Sequence, residues 1–225
     1  MVTWLNRHPI RTDSKSIALL AIFVAMVVSL EVFPILGVTD IGLPGNFTID
    51  WTGIPIVIVF LGLGIIYSLV AIFAMWIAIA YRNFNGAAFK GFAELYTILG
   101  LLIAKILFMR YQVEQRIRMV LYLLFGTLAR VIGMFFTNIY LLQFFYGLTP
   151  ESAVIGSAAF ALPNVLQAII NIIGGVMLYH LIPENLALQA GLGDDAGSAS
   201  SRIEELPLEE IESSQQDDSV VGSQG

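Results

Sequence analysis

The chain has 225 residues, 57% of them apolar and only 12% charged, with a mean hydropathy of +0.82. A soluble domain carries about a quarter charged residues, so the composition is that of an integral membrane protein, and the absence of cysteine excludes disulfides and thiolate metal sites. The net charge of −6 is uneven: from Glu184 onward ten acidic residues face one basic residue, Arg202, whereas the remainder has ten basic against seven acidic. No basic patch interleaves with aromatic residues, so nucleic acid is not an expected partner.

Arg7, Arg11 and Lys15 precede an apolar run from Ile17 to Leu36. The run is long for the core of a signal peptide and no small-residue cleavage motif follows it, so it reads as a first membrane helix. Ala18, Ala21 and Ala25 fall along one side of it, a spacing that lets another helix approach closely, although alanine is also common in such helices. Residues 37–52 read as a loop through Gly37, Gly42, Pro44 and Gly45. From Asn46 to Gly64 the chain starts polar, with Asn46, Thr48, Asp50, Trp51 and Thr52, and ends apolar. Pro55 suits a first helical turn and Thr52 can cap it. The second helix, from about Gly53 to Leu61, is short for a span of about 20 residues. Gly62-Leu63-Gly64 then allows a reversal into a third helix, Ile65 to Tyr81, with one long broken helix as the alternative.

Arg82 to Gly91 reads as a polar loop and Phe92 to Met109 as the fourth helix. Glu94 lies near its start, on the same face as Lys90, and Lys105 is placed to snorkel. Arg110 to Arg118 reads as a cytoplasmic loop. On the fifth helix, Met119 to about Phe145, Gly126, Arg130, Gly133 and Thr137 share a stripe, with Asn138 two turns beyond Arg130. The sixth, Ala153 to Ile182, has Pro163 in its middle and repeats Asn164, Gln167, Asn171, Gly174 and Gly175 at three- and four-residue steps. An unpaired amide in lipid costs several kcal/mol, so this stripe faces protein, water or a ligand.

The expected architecture is an all-α membrane protein. A cytoplasmic segment (1–15) leads into a six-helix bundle (16–183), and a disordered acidic tail (184–225) follows, because its Gly, Ser, Asp, Glu and Gln cannot bury a core. Six basic residues lie in the segments on one side (Arg7, Arg11, Lys15, Arg110, Arg116, Arg118) and two on the other (Arg82, Lys90), which places both termini in the cytoplasm. There is no GxxxxGK[ST], HExxH or GxSxG motif. An intramembrane enzyme built on Glu94, Asp50 or Arg130 stays open as an alternative, but no paired arrangement demands it and the expectation is a non-enzyme.

Several stretches together resemble the substrate-binding (S) components of energy-coupling factor vitamin transporters, a type of ABC transporter, and specifically the riboflavin type. Asp50-Trp51-Thr52-Gly53-Ile54-Pro55 stands where that family has D-x-S-x-I-P, and Ala93-Glu94-Leu95 where it has G-E-L. Gly126-Thr127-Leu128 is followed by Asn138, and Pro163-Asn164 by Gln167, which replaces a vitamin-contacting lysine. Gly53 replaces an aspartate, and Arg130 stands where an apolar residue is usual. The resemblance covers roughly residues 16 to 183.

It implies a bundle open to the outside, in the cell membrane, that holds a vitamin beneath the first loop as transported ligand and uses no cofactor. It implies docking of Ala18, Ala21 and Ala25 on a membrane coupling (T) subunit bound to two ATPase subunits. The expected substrate-binding residues are Asn138, Asn164, Gln167, Glu94, Trp51, Thr48, Asp50 and Tyr96. The neutral amides suit the edges of an uncharged polar heterocycle, and Trp51, Phe47 and Tyr96 suit apolar or stacking contacts. Each has an alternative role in joining helices or, as for Trp51, in anchoring the chain at the membrane interface, and for Asn171 and Arg130 the structural role is the expected one. The alternatives in function are an S component for another small heterocyclic vitamin or precursor, an intramembrane enzyme or small channel, or a purely structural subunit.

Overall fold

The computed structural model describes residues 14–33, 40–43, 47–111 and 115–183. The acidic tail and the N-terminal arginines lie outside the described residues. The elements are α1 (Ser14–Val32), β1 (Asp40–Leu43), β2 (Phe47–Asp50), α2 (Gly53–Gly62), α3 (Ile65–Ala80), α4 (Phe84–Tyr111), α5 (Gln115–Tyr146), α6 (Pro150–Ala159) and α7 (Ala161–Leu181). Among the described residues, four stretches are long and apolar enough to cross a bilayer: Ser14–Val32, Phe84–Phe108, Ile117–Tyr146 and Pro150–Leu181, with α2 and α3 as shorter apolar helices. By length and composition, then, this is a largely helical membrane protein.

The segment expected as a plain loop contains a hairpin. β1 and β2 pair antiparallel, with Asp40 opposite Asp50 and Leu43 opposite Phe47. Ile49 is buried on one face of β2, and Thr48 and Asp50 share the other, the period of two that a strand imposes. β2 delivers the chain to α2, a helix apolar on almost every side and buried on almost every side. Leu63 and Gly64 both donate their N–H to the Val59 carbonyl, closing α2. Gly64 then adopts φ +97°, a conformation that only glycine takes without strain, and starts α3. The two-helix reading of this region is the one observed.

α4 starts eight residues earlier than Phe92. Asn83 is the reason: its Oδ1 accepts the Gly86 N–H at 2.9 Å and its carbonyl accepts the Ala87 N–H at 2.9 Å, as expected of a favoured N-cap residue. At the other end, α4 continues to Tyr111 and α5 begins at Gln115. The basic stretch expected as a loop is therefore mostly helical. The sixth helix, expected as one element from Ala153 to Ile182, starts earlier, at Pro150, and is divided at Phe160. Pro163 falls in the first turn of α7, where a missing N–H leaves no bond unmade.

Glycines set the closest approaches. A Cβ at Gly100 of α4 would lie 2.7 Å from the Gly126 Cα of α5, and one at Gly175 of α7 would lie 2.5 Å from Val57 Cβ of α2. Phe60, Ile56, Ile98, Leu101 and Ile172 fill the interior between these helices. α1 is the outlier: only Ser16 and Val27 are buried, and Ala18, Ala21 and Ala25 lie on its exposed surface.

Candidate functional site

At the end of the bundle that carries the hairpin, α4, α5 and α7 enclose a cavity of about 540 Å³, within the range of small-molecule sites. β2 contributes Thr48 and Asp50. α5 contributes Arg130, Met134, Asn138, Leu142 and Tyr146, one residue per turn, and α7 contributes Asn164 and Gln167. Phe89 and Lys90 of α4 close the remaining side.

Two charged clusters flank the cavity. In the first, Lys90 pairs with Asp50 Oδ2 at 2.9 Å and with Glu31 of α1, and donates to Thr52 Oγ1 at 3.2 Å. Thr52 Oγ1 donates to Glu31 at 2.7 Å, and the Thr52 N–H donates to Asp50 Oδ1 at 2.9 Å. Thr52 therefore precedes α2 without its side chain capping the helix. Its hydroxyl is committed to α1 instead. Burial pushes the Asp50 carboxyl up, but the Lys90 charge and the hydrogen bonds from Lys90 and Thr52 outweigh that and hold it below the ordinary carboxylate range.

The second cluster is deeper. Arg130 Nη1 donates to Glu94 Oε1 at 2.7 Å and to Thr97 Oγ1 at 3.1 Å, while its Nε donates to Asn164 Oδ1 at 3.2 Å. Asn171 Nδ2 donates to the same Glu94 oxygen at 3.0 Å. The two side chains of the ion pair are only 4% and 1% exposed. Gly53 makes room for this cluster: a Cβ there would collide with the Asn171 amide and lie 2.8 Å from Glu94 Oε2.

Gln167 joins the clusters. Its Oε1 accepts the Asp50 N–H at 3.1 Å, and its Nε2 donates to the Asp50 carbonyl at 2.7 Å and to Asn171 Oδ1 at 2.9 Å. A continuous polar chain thus runs from α1 through the hairpin and α7 to the α4–α5 ion pair.

Of the eight residues expected at the site, Asn138, Asn164, Gln167, Thr48 and Asp50 line the cavity together. Glu94 is buried behind it and reaches it through Arg130. Trp51 is 37% exposed and is not among the lining residues. Tyr96 is placed in the α4–α5 seam, with its hydroxyl 2.8 Å from Thr137 Oγ1 and its ring against Gly133. The same-face pair of Lys90 and Glu94 does not form. Each finds a partner on another element, because the hairpin and α5 offer closer opposite charges. Arg130 was expected only to join helices, yet it both joins them and lines the cavity. Phe89, Tyr146 and Phe160, which line it too, carried no sequence signal beyond aromatic character.

No protein-family model matches the sequence, and a search of curated proteins returns no match.

Proposed function

We propose that this chain is a membrane-embedded small-molecule-binding subunit, of the kind its motifs resemble: the substrate-binding component of an energy-coupling factor transporter, with riboflavin as first candidate ligand. The observation that carries this reading is the cavity of about 540 Å³ lined jointly by Asn138 of α5 and Asn164 of α7 beneath the hairpin. Buried amides around a partly open cavity in a membrane bundle have no use in lipid and fit a polar, uncharged guest. The clusters around the cavity pair their cations with carboxylates, which also favours a neutral ligand over an ionic one.

On this reading the six helices form one bundle, with α6 and α7 counted together. The cavity opens on the side opposite the basic α4–α5 junction, which is the outside if the termini are cytoplasmic. Uptake would be driven by ATPase partners through a membrane coupling subunit docked on Ala18, Ala21 and Ala25, residues whose exposure leaves that face accessible. The test is titration of the purified chain in detergent with riboflavin. Quenching of flavin fluorescence with a dissociation constant between about nanomolar and micromolar is expected, and no binding would remove riboflavin. Arg130 and Gln167, at positions where the family has other residues, favour a second candidate within the same class: a different neutral heterocycle.

A further inference from the structure

The cavity's polar groups divide sharply once their hydrogen bonds are counted. Lys90 has three N–H donors, and these serve Glu31, Asp50 and Thr52. Both N–H groups of Gln167 are used, on Asp50 and Asn171. Two lining residues that look suited to hold a ligand therefore have no donor left for one.

Arg130 is different. A guanidinium has five N–H groups. Its Nε bonds to Asn164, and Nη1 bonds to Glu94 and Thr97. The two N–H groups of Nη2 take part in no hydrogen bond among the described residues. Among the described residues the side-chain atoms both unpartnered and fully enclosed are Glu94 Oε2, Thr127 Oγ1 and Asn138 Oδ1, so the unpartnered Nη2 keeps some access. The side chain is nearly inaccessible from outside and lines the cavity, so the access Nη2 retains is to the cavity. Asn138 lines the cavity about two helical turns, or 12 Å, along α5; its Oδ1 is enclosed without a donor, and its Nδ2 takes part in no hydrogen bond among the described residues, so the amide N–H is what it offers the cavity.

We infer that Arg130 is the residue that reads the ligand, donating through Nη2 to a carbonyl oxygen or ring nitrogen at the deep end of the cavity, while Asn138 donates through Nδ2 to an oxygen further along. The ligand class is an elongated, uncharged, carbonyl-bearing heterocycle. Glu94 already balances the guanidinium, so an anionic group would bring an excess negative charge into a buried site. The fork is held rigid by Glu94, Thr97 and Asn164, and its remaining edge is fixed in direction. This inference rests on the proposed binding function and sharpens it, because it moves the recognition from Gln167 to Arg130.

The test uses the full chain in detergent and follows thermal shift and equilibrium affinity. The probes are riboflavin, its side-chain-free analogue lumiflavin, nicotinamide, nicotinate and thiamine. Arg130→Lys keeps the charge beside Glu94 but loses the planar fork, and Glu94→Gln with Arg130→Gln removes both charges at similar volume. Asn138→Leu removes the amide without touching the ion pair. A ligand hydrogen-bonded to the guanidinium should bind about tenfold to a hundredfold more weakly in both Arg130 variants. Lumiflavin, which keeps the ring carbonyls, should lose affinity in parallel with riboflavin. In Asn138→Leu the advantage of riboflavin over lumiflavin should shrink, a change that altered packing alone would not produce.

If riboflavin binds equally to wild type and Arg130→Lys, the inference is overturned and the binding function stands. If riboflavin does not bind but nicotinamide does, with the same dependence on Arg130, the inference stands and the riboflavin assignment falls. Binding of only nicotinate or thiamine, or of none of the carbonyl-bearing rings, overturns it.

Discussion

The same helices are built by opposite rules at their two ends. Toward the hairpin, α4, α5 and α7 meet through Glu94, Arg130, Asn164, Gln167 and Asn171, with a cavity among them. Toward the other end they meet through Ile98, Leu101, Phe108 and Ile172, with Phe108 edge-on to Tyr122 at 4.7 Å and Lys105 over the Phe60 ring at 5.9 Å. The apolar end can lose one methylene and give up only that methylene's contacts. The polar end is all-or-nothing, because removing one partner strands another in a medium that cannot solvate it. The difference separates a half closed by apolar packing from a half where paired polar side chains surround a cavity.

The sharpest way to break this contrast is Glu94→Ala. It leaves Arg130 buried without its counter-charge and should cost about 3–5 kcal/mol, measured as thermal unfolding in detergent. Leu101→Ala, fully buried at the other end, should cost about 2–3 kcal/mol through the cavity it leaves. If it costs more than Glu94→Ala, the two ends do not differ as argued.

Acid provides a third test. Asp50 has a depressed pKa in the folded protein. Its contribution is therefore complete above the unfolded carboxylate pKa of about 4 and is lost as the pH falls through the lower folded value. Unfolding followed from pH 6 downward should show stability falling below about pH 4, and Asp50→Asn should lack that part of the loss. An unchanged acid profile in Asp50→Asn would mean the Lys90 pair does not hold the hairpin. The smallest effect belongs to Tyr96→Phe, which deletes one hydrogen bond to Thr137 in the α4–α5 seam. About 1 kcal/mol of stability should go, with flavin affinity unchanged. A large loss of affinity would return Tyr96 to the binding site.

Apolar runs made the long helices legible, since 20 or so residues without charge have few other solutions. Boundaries were less so. Asn83, Asn85 and Lys90 look like loop residues by polarity, and it takes the Asn83 cap and a polar cavity to show why they belong to a helix. The hairpin was obscured because its four-residue strands alternate weakly beside Gly42, Pro44 and Gly45. At the site, the α7 amide stripe at helical spacing announced a polar face. Its partners did not announce themselves. Arg130 and Glu94 are 36 positions apart and Gln167 and Asp50 are 117 apart, and no local pattern encodes pairings at that range. For the same reason the sequence shows only that Lys90 shares a face with Glu94, its helical neighbour, and not that its counter-charges are on α1 and β2.

Gln167 has one more consequence. With its amide oxygen and nitrogen on the N–H and carbonyl of a single residue, Asp50, the side chain imitates a neighbouring peptide group. It is a third strand one residue long. Such a latch has no halfway position: shifting the hairpin edge by the length of one bond releases both contacts together, worth about 2 kcal/mol as a pair. Separation of β2 from α7 should therefore be a discrete step in which both contacts go at once, with no stable state between joined and parted.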